Sequence, residues 1–277
     1  NRFQQTTPIV LNLIIINVLV YLAQMVTSGN IEPSPAGDLF ALHHYKSTYF
    51  QPYQIVTHMF MHAPFPNIMH ILFNMFALYS FGSALEHFWG GKKFLFFYIS
   101  CGLGAALLHT GVNYFEIHSL LSDVASLNLS AAEKHQLLNA DYSSLFDAKG
   151  QMMAGEINTL LERVHCTQQQ FNTIVEASMV SKGTVVGASG AIYGLLVAFA
   201  FMFPNAELAL MFVPIPIKAK YFVPGLVLID LYLGVSGGES IFGGGGIAHF
   251  AHVGGALFGF IIMWYWKKNQ FNRNRWN

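Results

Sequence analysis

The stretch 187–194 reads Gly-Ala-Ser-Gly-Ala-Ile-Tyr-Gly, and it opens a long apolar run. A second stretch, 248–259, reads Ala-His-Phe-Ala-His-Val-Gly-Gly-Ala-Leu-Phe-Gly. Each combines a polar side chain with two glycines four residues apart. These glycines are Gly190, Gly194, Gly255 and Gly259. Small residues at this spacing let two membrane helices approach backbone to backbone. The two stretches therefore predict a close helix pair that carries Ser189 and His252.

The composition of the whole chain is that of a membrane protein. Of its 277 residues, 53% are hydrophobic and only 10% are charged, whereas a soluble domain has roughly 25% charged residues. A net charge of zero argues against a nucleic-acid partner, which would need a basic face. A bilayer core requires about 20 apolar residues in helical form. Six runs approach this length: Pro8–Thr27, Phe65–Leu85, Phe94–Asn113, Thr184–Phe203, Tyr221–Val235 and Ile247–Trp266. The sequence thus predicts an all-α membrane protein with six transmembrane helices.

A polar segment interrupts the apolar pattern and divides the chain into three parts. Residues 1–113 hold spans one to three with the first external loop, and 184–277 hold spans four to six with a tail. Between them, 114–183 is polar. Within it, Ser130 and Thr167 each precede a Glu or Gln by three residues, which is the capping-box pattern that begins a helix. We therefore expect a helical insertion between spans three and four.

Basic residues indicate how the spans are oriented. They occur between spans two and three, between spans four and five, and after span six: Lys92, Lys93, Lys218, Lys220, Lys267, Lys268, Arg273 and Arg275. Loops rich in Lys and Arg stay in the cytoplasm. Both termini are therefore predicted to be cytoplasmic, and the insertion 114–183 extracytoplasmic. Because the sequence begins with Asn1, we take it to be a fragment or a trimmed chain.

Ser189 and His252 occupy equivalent depths in this topology. Each lies near the start of its span, and spans four and six both enter from the external face. A Ser–His pair acts as nucleophile and base when the oxygen and nitrogen come within about 3 Å. The sequence therefore predicts a serine nucleophile with a histidine base just below the external surface.

Span two offers groups that could stabilise an oxyanion. His70 and Asn74 are four residues apart, so they share one helix face. Polar side chains inside a membrane are costly and usually face a cavity or a partner. Backbone N–H groups at the start of span four, assisted by the helix dipole, are further candidate donors.

Other polar residues leave alternatives open. His249 lies one turn before His252 and could replace it, although the glycine spacing favours His252. His58 and His62 are spaced like a metal-binding pair but lack an accompanying carboxylate, so loop hydrogen bonds are the other interpretation. Asp230 on span five could relay protons in a transporter or could simply be hydrogen-bonded. The sequence places no acidic third member in reach of the Ser–His pair, which predicts a dyad.

These motifs, in this order and on the second, fourth and sixth spans, resemble those of the rhomboid family of intramembrane serine proteases. The resemblance covers the chain outside the insertion. It implies that Ser189 is the nucleophile, that His252 is the general base, and that Tyr193 packs against that histidine. With no carboxylate, packing and Tyr193 would hold the imidazole.

The same resemblance assigns supporting roles and partners. His70 and Asn74 would line the oxyanion hole, and Gly187 would allow a tight approach before the serine. The substrates would be single-span membrane proteins, cleaved in the bilayer with no metal, nucleotide or other cofactor. The compact core with cytoplasmic termini suggests a bacterial inner membrane.

Two departures from the family bear on substrate access. Where the family often has a Trp-Arg pair before span two, this chain has Tyr53 and Gln54, and the external loop between spans three and four, usually short in the family, carries the insertion 114–183. The insertion could contact a substrate or an extracytoplasmic partner. Two other functions stay open: a catalytically inactive rhomboid-like binder of membrane helices, and a small channel or transporter.

Overall fold

The computed structural model describes residues 7–28, 35–210, 213–237 and 249–270. The chain forms two compact units. The first comprises the described residues of Asn1–Leu42, Pro52–His109 and Val185–Asn277, and the second comprises His43–Gln51 and Thr110–Thr184. The second unit includes the whole segment expected to be an insertion, 114–183.

Helices build the first unit, and several of them are long and apolar. In chain order they are α1 (Pro8–Ser28), α2 (Pro35–Phe40), α3 (Gln54–Thr57), α4 (Ile68–Ala77), α5 (Ser83–Trp89), α6 (Gly91–Asp123, shared with the second unit), α10 (Ser189–Met202), α11 (Ala219–Ser236) and α12 (His249–Gln270). One turn of π-helix, Leu78–Gly82, joins α4 to α5, so Ile68–Trp89 is one continuous helical span.

Four helices of the described chain are long and apolar enough to cross a bilayer: Pro8–Thr27, Ile68–Trp89, Gly91–Asp123 and Ala219–Ser236. Helix α10 is apolar but has only 14 residues. Ile247, the predicted start of span six, and Ala248, the first residue of the stretch 248–259, lie outside the described residues. The count of six spans therefore stays a prediction, while the helical, membrane-type architecture is present.

The ends of four helices, α1, α5, α6 and α12, lie together in the first unit. The Glu86 carboxylate on α5 accepts hydrogen bonds from the Ile9 and Val10 amides at the start of α1, at 2.9 and 2.8 Å. Lys93, at the start of α6, places its Nζ 4.1 Å from the ring centroid of Trp266 near the end of α12. These contacts bring the start of α1, the α5–α6 junction and the end of α12 together.

Three elements differ from their predicted form. Span three was expected to end at Asn113, but α6 continues to Asp123 because no glycine or proline follows Asn113 to stop it. Helix α10 begins at Ser189 rather than at Thr184, since Val185 instead forms an antiparallel bridge with Leu42. An antiparallel ribbon of two strands, β1 (Glu207–Leu210) and β2 (Val213–Lys218), occupies the loop between spans four and five.

The second unit is helical and has its own apolar core. Helices α7 (Ala131–Asn139), α8 (Glu156–Arg163) and α9 (Gln168–Lys182) pack with the end of α6. Both predicted capping boxes are present, at Ser130 for α7 and at Thr167 for α9. The buried core consists of Val124, Leu127, Leu129, Leu137, Ile157, Leu160, Leu161 and Ile174.

Candidate active site

Glycines bring α10 and α12 into backbone contact. A methyl group at Gly259 would lie 2.8 Å from the Cα of Gly194, and one at Gly255 would overlap the carbonyl of Gly190. Neither position tolerates a side chain without separating the helices. The predicted small-residue contact between these two helices is therefore confirmed.

Ser189 and His252 face each other across this contact. Ser189 is the first residue of α10, and His252 lies one turn into α12. Ser189 Oγ is 2.8 Å from His252 Nε2. The serine is half-buried and the histidine is 6% exposed. The imidazole is thus enclosed, whereas the serine is partly exposed.

Tyr193 covers the imidazole from one side. Its ring stacks on that of His252, with centroids 4.3 Å apart and planes 8° from parallel. Because Tyr193 follows Ser189 by one helical turn, α10 supplies both the hydroxyl at the edge of the imidazole and the ring over its face. This contact limits the rotation of His252.

Gly187 shapes the backbone before the serine. Its φ is +116°, a conformation that favours glycine. Its N–H donates to the His58 carbonyl at 2.9 Å. A methyl group at Gly187 would lie 3.1 Å from His70 Nε2 and 3.5 Å from Ser189 Oγ. The absence of a side chain at Gly187 therefore leaves room between His70 and the serine.

His70 presents an N–H group toward this space. The Ala63 amide donates to His70 Nδ1 at 3.1 Å, so the neutral ring carries its hydrogen on Nε2, which faces Gly187. Asn74 is buried one turn further along α4, and its Nδ2 donates to the His70 carbonyl at 2.8 Å. His70 is placed to donate to an oxyanion, while the bond of Asn74 in this state is to its own helix.

The prediction that no acidic group lies in reach of the Ser–His pair is wrong. Asp230, which is 5% exposed on α11, has its Oδ1 3.3 Å from His252 Nδ1. The same oxygen is 2.5 Å from His249 Nδ1, and Oδ2 accepts a hydrogen bond from the Tyr193 hydroxyl. The interpretation of Asp230 as a hydrogen-bonded residue is confirmed, but its partners are those of the candidate site.

Sequence reasoning missed this contact because span five gives little indication of which face is buried. Its buried residues are Ala219, Val223 and Asp230, all on one side of the helix. A carboxylate alone in an apolar helix was the available signal, because such a group must find polar partners. The Tyr193 hydroxyl on span four and the His249 and His252 imidazoles on span six are such partners.

The other candidate histidines contact groups other than the Ser189 hydroxyl. His249 does not take the place of His252 at the serine, since its Nδ1 faces Asp230. His58 Nδ1 donates to the Gln54 carbonyl one helical turn earlier, at 2.9 Å. Neither ring nitrogen of His62 has a hydrogen-bond partner among the described residues, so the hydrogen-bonding alternative to metal binding is confirmed for His58 alone. Asp230, His249 and His252 have possible ligand atoms within 4.8 Å of one another, and their mutual hydrogen bonds already account for this clustering.

Comparison with known proteins assigns the family. The Rhomboid domain matches residues 49–118 and 157–269. The chain belongs to the rhomboid family, and with its apolar helices it is an integral membrane protein. An uncharacterized rhomboid protein of Schizosaccharomyces pombe, named as mitochondrial, is 26% identical over 247 residues, which are 83% of this chain and 56% of that protein. The chain thus spans little more than half the length of this relative. No solved structure matches the chain.

Proposed function

We propose that this chain is an intramembrane serine endopeptidase that cleaves transmembrane segments of other membrane proteins, with Ser189 as nucleophile and His252 as general base. The observation that carries the proposal is the 2.8 Å separation between Ser189 Oγ and His252 Nε2. The distance is that of a hydroxyl donating to an imidazole nitrogen. Membership of the rhomboid family, which contains both proteases and rhomboid-like proteins, supports the same function.

The reaction follows from these positions. Ser189 Oγ attacks the carbonyl carbon of the scissile peptide while His252 Nε2 takes the hydroxyl proton. His70 Nε2–H and the backbone amides at the start of α10 lie on the side where the oxyanion would form. His252 then gives its proton to the leaving amine, and an acyl-enzyme remains on Ser189. Water deprotonated by His252 hydrolyses this ester and restores the serine.

The proposal includes where the protein acts and on what. Its substrates would be single-span membrane proteins, which reach the site through the bilayer. Basic loops orient the termini toward the cytoplasm of a bacterial inner membrane, although the matched relative is named as mitochondrial. Residues 114–183 would then contact a substrate or partner on the opposite face.

Two variants and a chemical probe test the proposal. The protein in detergent micelles is incubated with a panel of single-span proteins and, separately, with a labelled fluorophosphonate. Ser189→Ala should abolish both cleavage and labelling. Ser83→Ala, in the same unit, should retain both, since that hydroxyl has no hydrogen-bond partner among the described residues. Cleavage that persists in Ser189→Ala would refute the assignment, and a wild-type protein that neither cleaves nor reacts would favour an inactive binder.

A further inference from the structure

Asp230 is a carboxylate placed where a carboxylate is expensive. Its neighbours along α11 are exposed apolar side chains: Leu228, Ile229, Leu231 and Tyr232. A charged group in a membrane helix costs several kcal/mol unless it is paired and hydrogen-bonded. Asp230 instead turns inward with Ala219 and Val223. A residue held at this cost has a structural or chemical function in the interior.

Three donors from two other helices converge on this carboxylate. Tyr193 of α10 donates to Oδ2, while His249 and His252 of α12 face Oδ1 through their Nδ1 atoms at 2.5 and 3.3 Å. A carboxylate can only accept hydrogen bonds, so each facing nitrogen must carry its hydrogen. Asp230 therefore fixes the hydrogen of His252 on Nδ1.

This tautomer is the one that the serine needs. With its hydrogen on Nδ1, the neutral ring of His252 leaves Nε2 free to accept from Ser189 Oγ. In the other tautomer, Nε2 would carry a hydrogen and could not take the serine proton. The carboxylate would also stabilise the imidazolium that forms when the proton is transferred.

We infer that Asp230 is a positioning residue for His252, so that the site works as a Ser189–His252–Asp230 triad rather than as a dyad. The inference rests on the proposed protease function. Tyr193 and His249 hold the carboxylate itself, because their two bonds leave Asp230 little rotational freedom. Tyr193 thus acts twice, through its ring on His252 and through its hydroxyl on Asp230.

The test compares Asp230→Asn with Asp230→Glu. An amide has one acceptor oxygen for three donors, and its NH₂ group can turn toward His252 and favour the wrong tautomer. We expect kcat to fall about 10- to 150-fold, equivalent to about 1.5–3 kcal/mol for a hydrogen bond to a charged group. KM should stay within about twofold. Fluorophosphonate labelling should slow by the same factor as kcat, since it reports the serine without a substrate helix. Asp230→Glu keeps the carboxylate and should recover part of the loss.

Controls separate positioning from folding. Glu207→Gln, at an exposed acid of the same unit, should leave kcat unchanged. If Asp230→Asn does not fold, Tyr193→Phe keeps the ring but removes one bond to Asp230, and should slow labelling about 2- to 10-fold. The inference would be overturned if Asp230→Asn or Tyr193→Phe were labelled at the wild-type rate. It would also be overturned if folded Asp230→Glu were no more active than folded Asp230→Asn. If the inference fails in this way but the wild type is active and Ser189→Ala is not, the proposed protease function still stands. If the wild type itself is inactive, both the proposed function and the inference are refuted.

Discussion

Replacing Glu86 by Gln should destabilise the first unit without altering the site. Helix α1 begins at Pro8, so the Ile9 and Val10 amides are among the first-turn donors that lack a partner within the helix. Glu86, which is 1% exposed, satisfies both through its two oxygens. Glutamine has one acceptor oxygen, so one amide loses its acceptor and faces an NH₂ group instead.

The size of the effect follows from these bonds. A buried hydrogen bond to a charged group is worth about 1.5–3 kcal/mol. Loss of the favourable interaction between the carboxylate and the helix dipole adds about 0.3–1 kcal/mol. We therefore expect the free energy of unfolding to fall by about 2–4 kcal/mol. In a unit of this size that lowers Tm by on the order of 5–15 °C.

The chain contains its own reporter for the measurement. Cys101 is fully buried beside Gly194, and Cys166 is partly exposed in the second unit. In a Cys166→Ser background, a thiol-reactive fluorescent maleimide reports the unfolding of the first unit through Cys101. Glu86→Gln should shift this transition, while exposed Glu207→Gln should leave it within about 1 °C. Equal transitions in the two variants would refute the role given to the Glu86 carboxylate.

Two further predictions concern packing and pH. Gly255→Ala should lower the free energy of unfolding by about 1–3 kcal/mol and slow labelling of the serine, because its methyl group would overlap the carbonyl of Gly190 and separate α10 from α12. Gly225→Ala, where the added methyl meets open space, is the matched control. Equal effects of the two substitutions would contradict the reasoning. Burial lowers the pKa of His62 from 6.5 to about 3. Because the folded state resists protonation, the stability that this histidine contributes is present above about pH 6.5 and is lost as pH falls toward 3. His62→Leu should flatten the dependence of Tm on pH between 6.5 and 4, and an unchanged slope would be the contrary result.

Local properties of the sequence predicted much of the architecture. The apolar runs gave the helices to within a few residues, apart from α6 and α10. The capping boxes at Ser130 and Thr167 begin the helices that they predicted. Both signals act over a few neighbouring residues, so they can be read along one chain. The ribbon β1–β2 was not predicted because its two strands are short and lie in the connection between two spans, where no long apolar run indicates an element.

The candidate site was predictable in part. Ser189 and His252 could be paired because glycine spacing identifies the helix faces that touch, and topology places both residues at one depth. Their distance is now known, whereas their catalytic roles stay predictions. The hydrogen on His70 Nε2 could not be predicted, since it depends on an amide, that of Ala63, in the loop before α4.

By itself, the sequence determined that this is a membrane protein and which helices must touch, because hydrophobicity and residue size are properties of each residue and its near neighbours. Only the tertiary structure decided the partners of Asp230. Its contact with His252 depends on the rotation of α11 about its own axis and on the position of α11 beside α12. Those two quantities are set by the packing of the whole unit, since the few buried residues of α11 specify its inward face only when the neighbouring helices are in place.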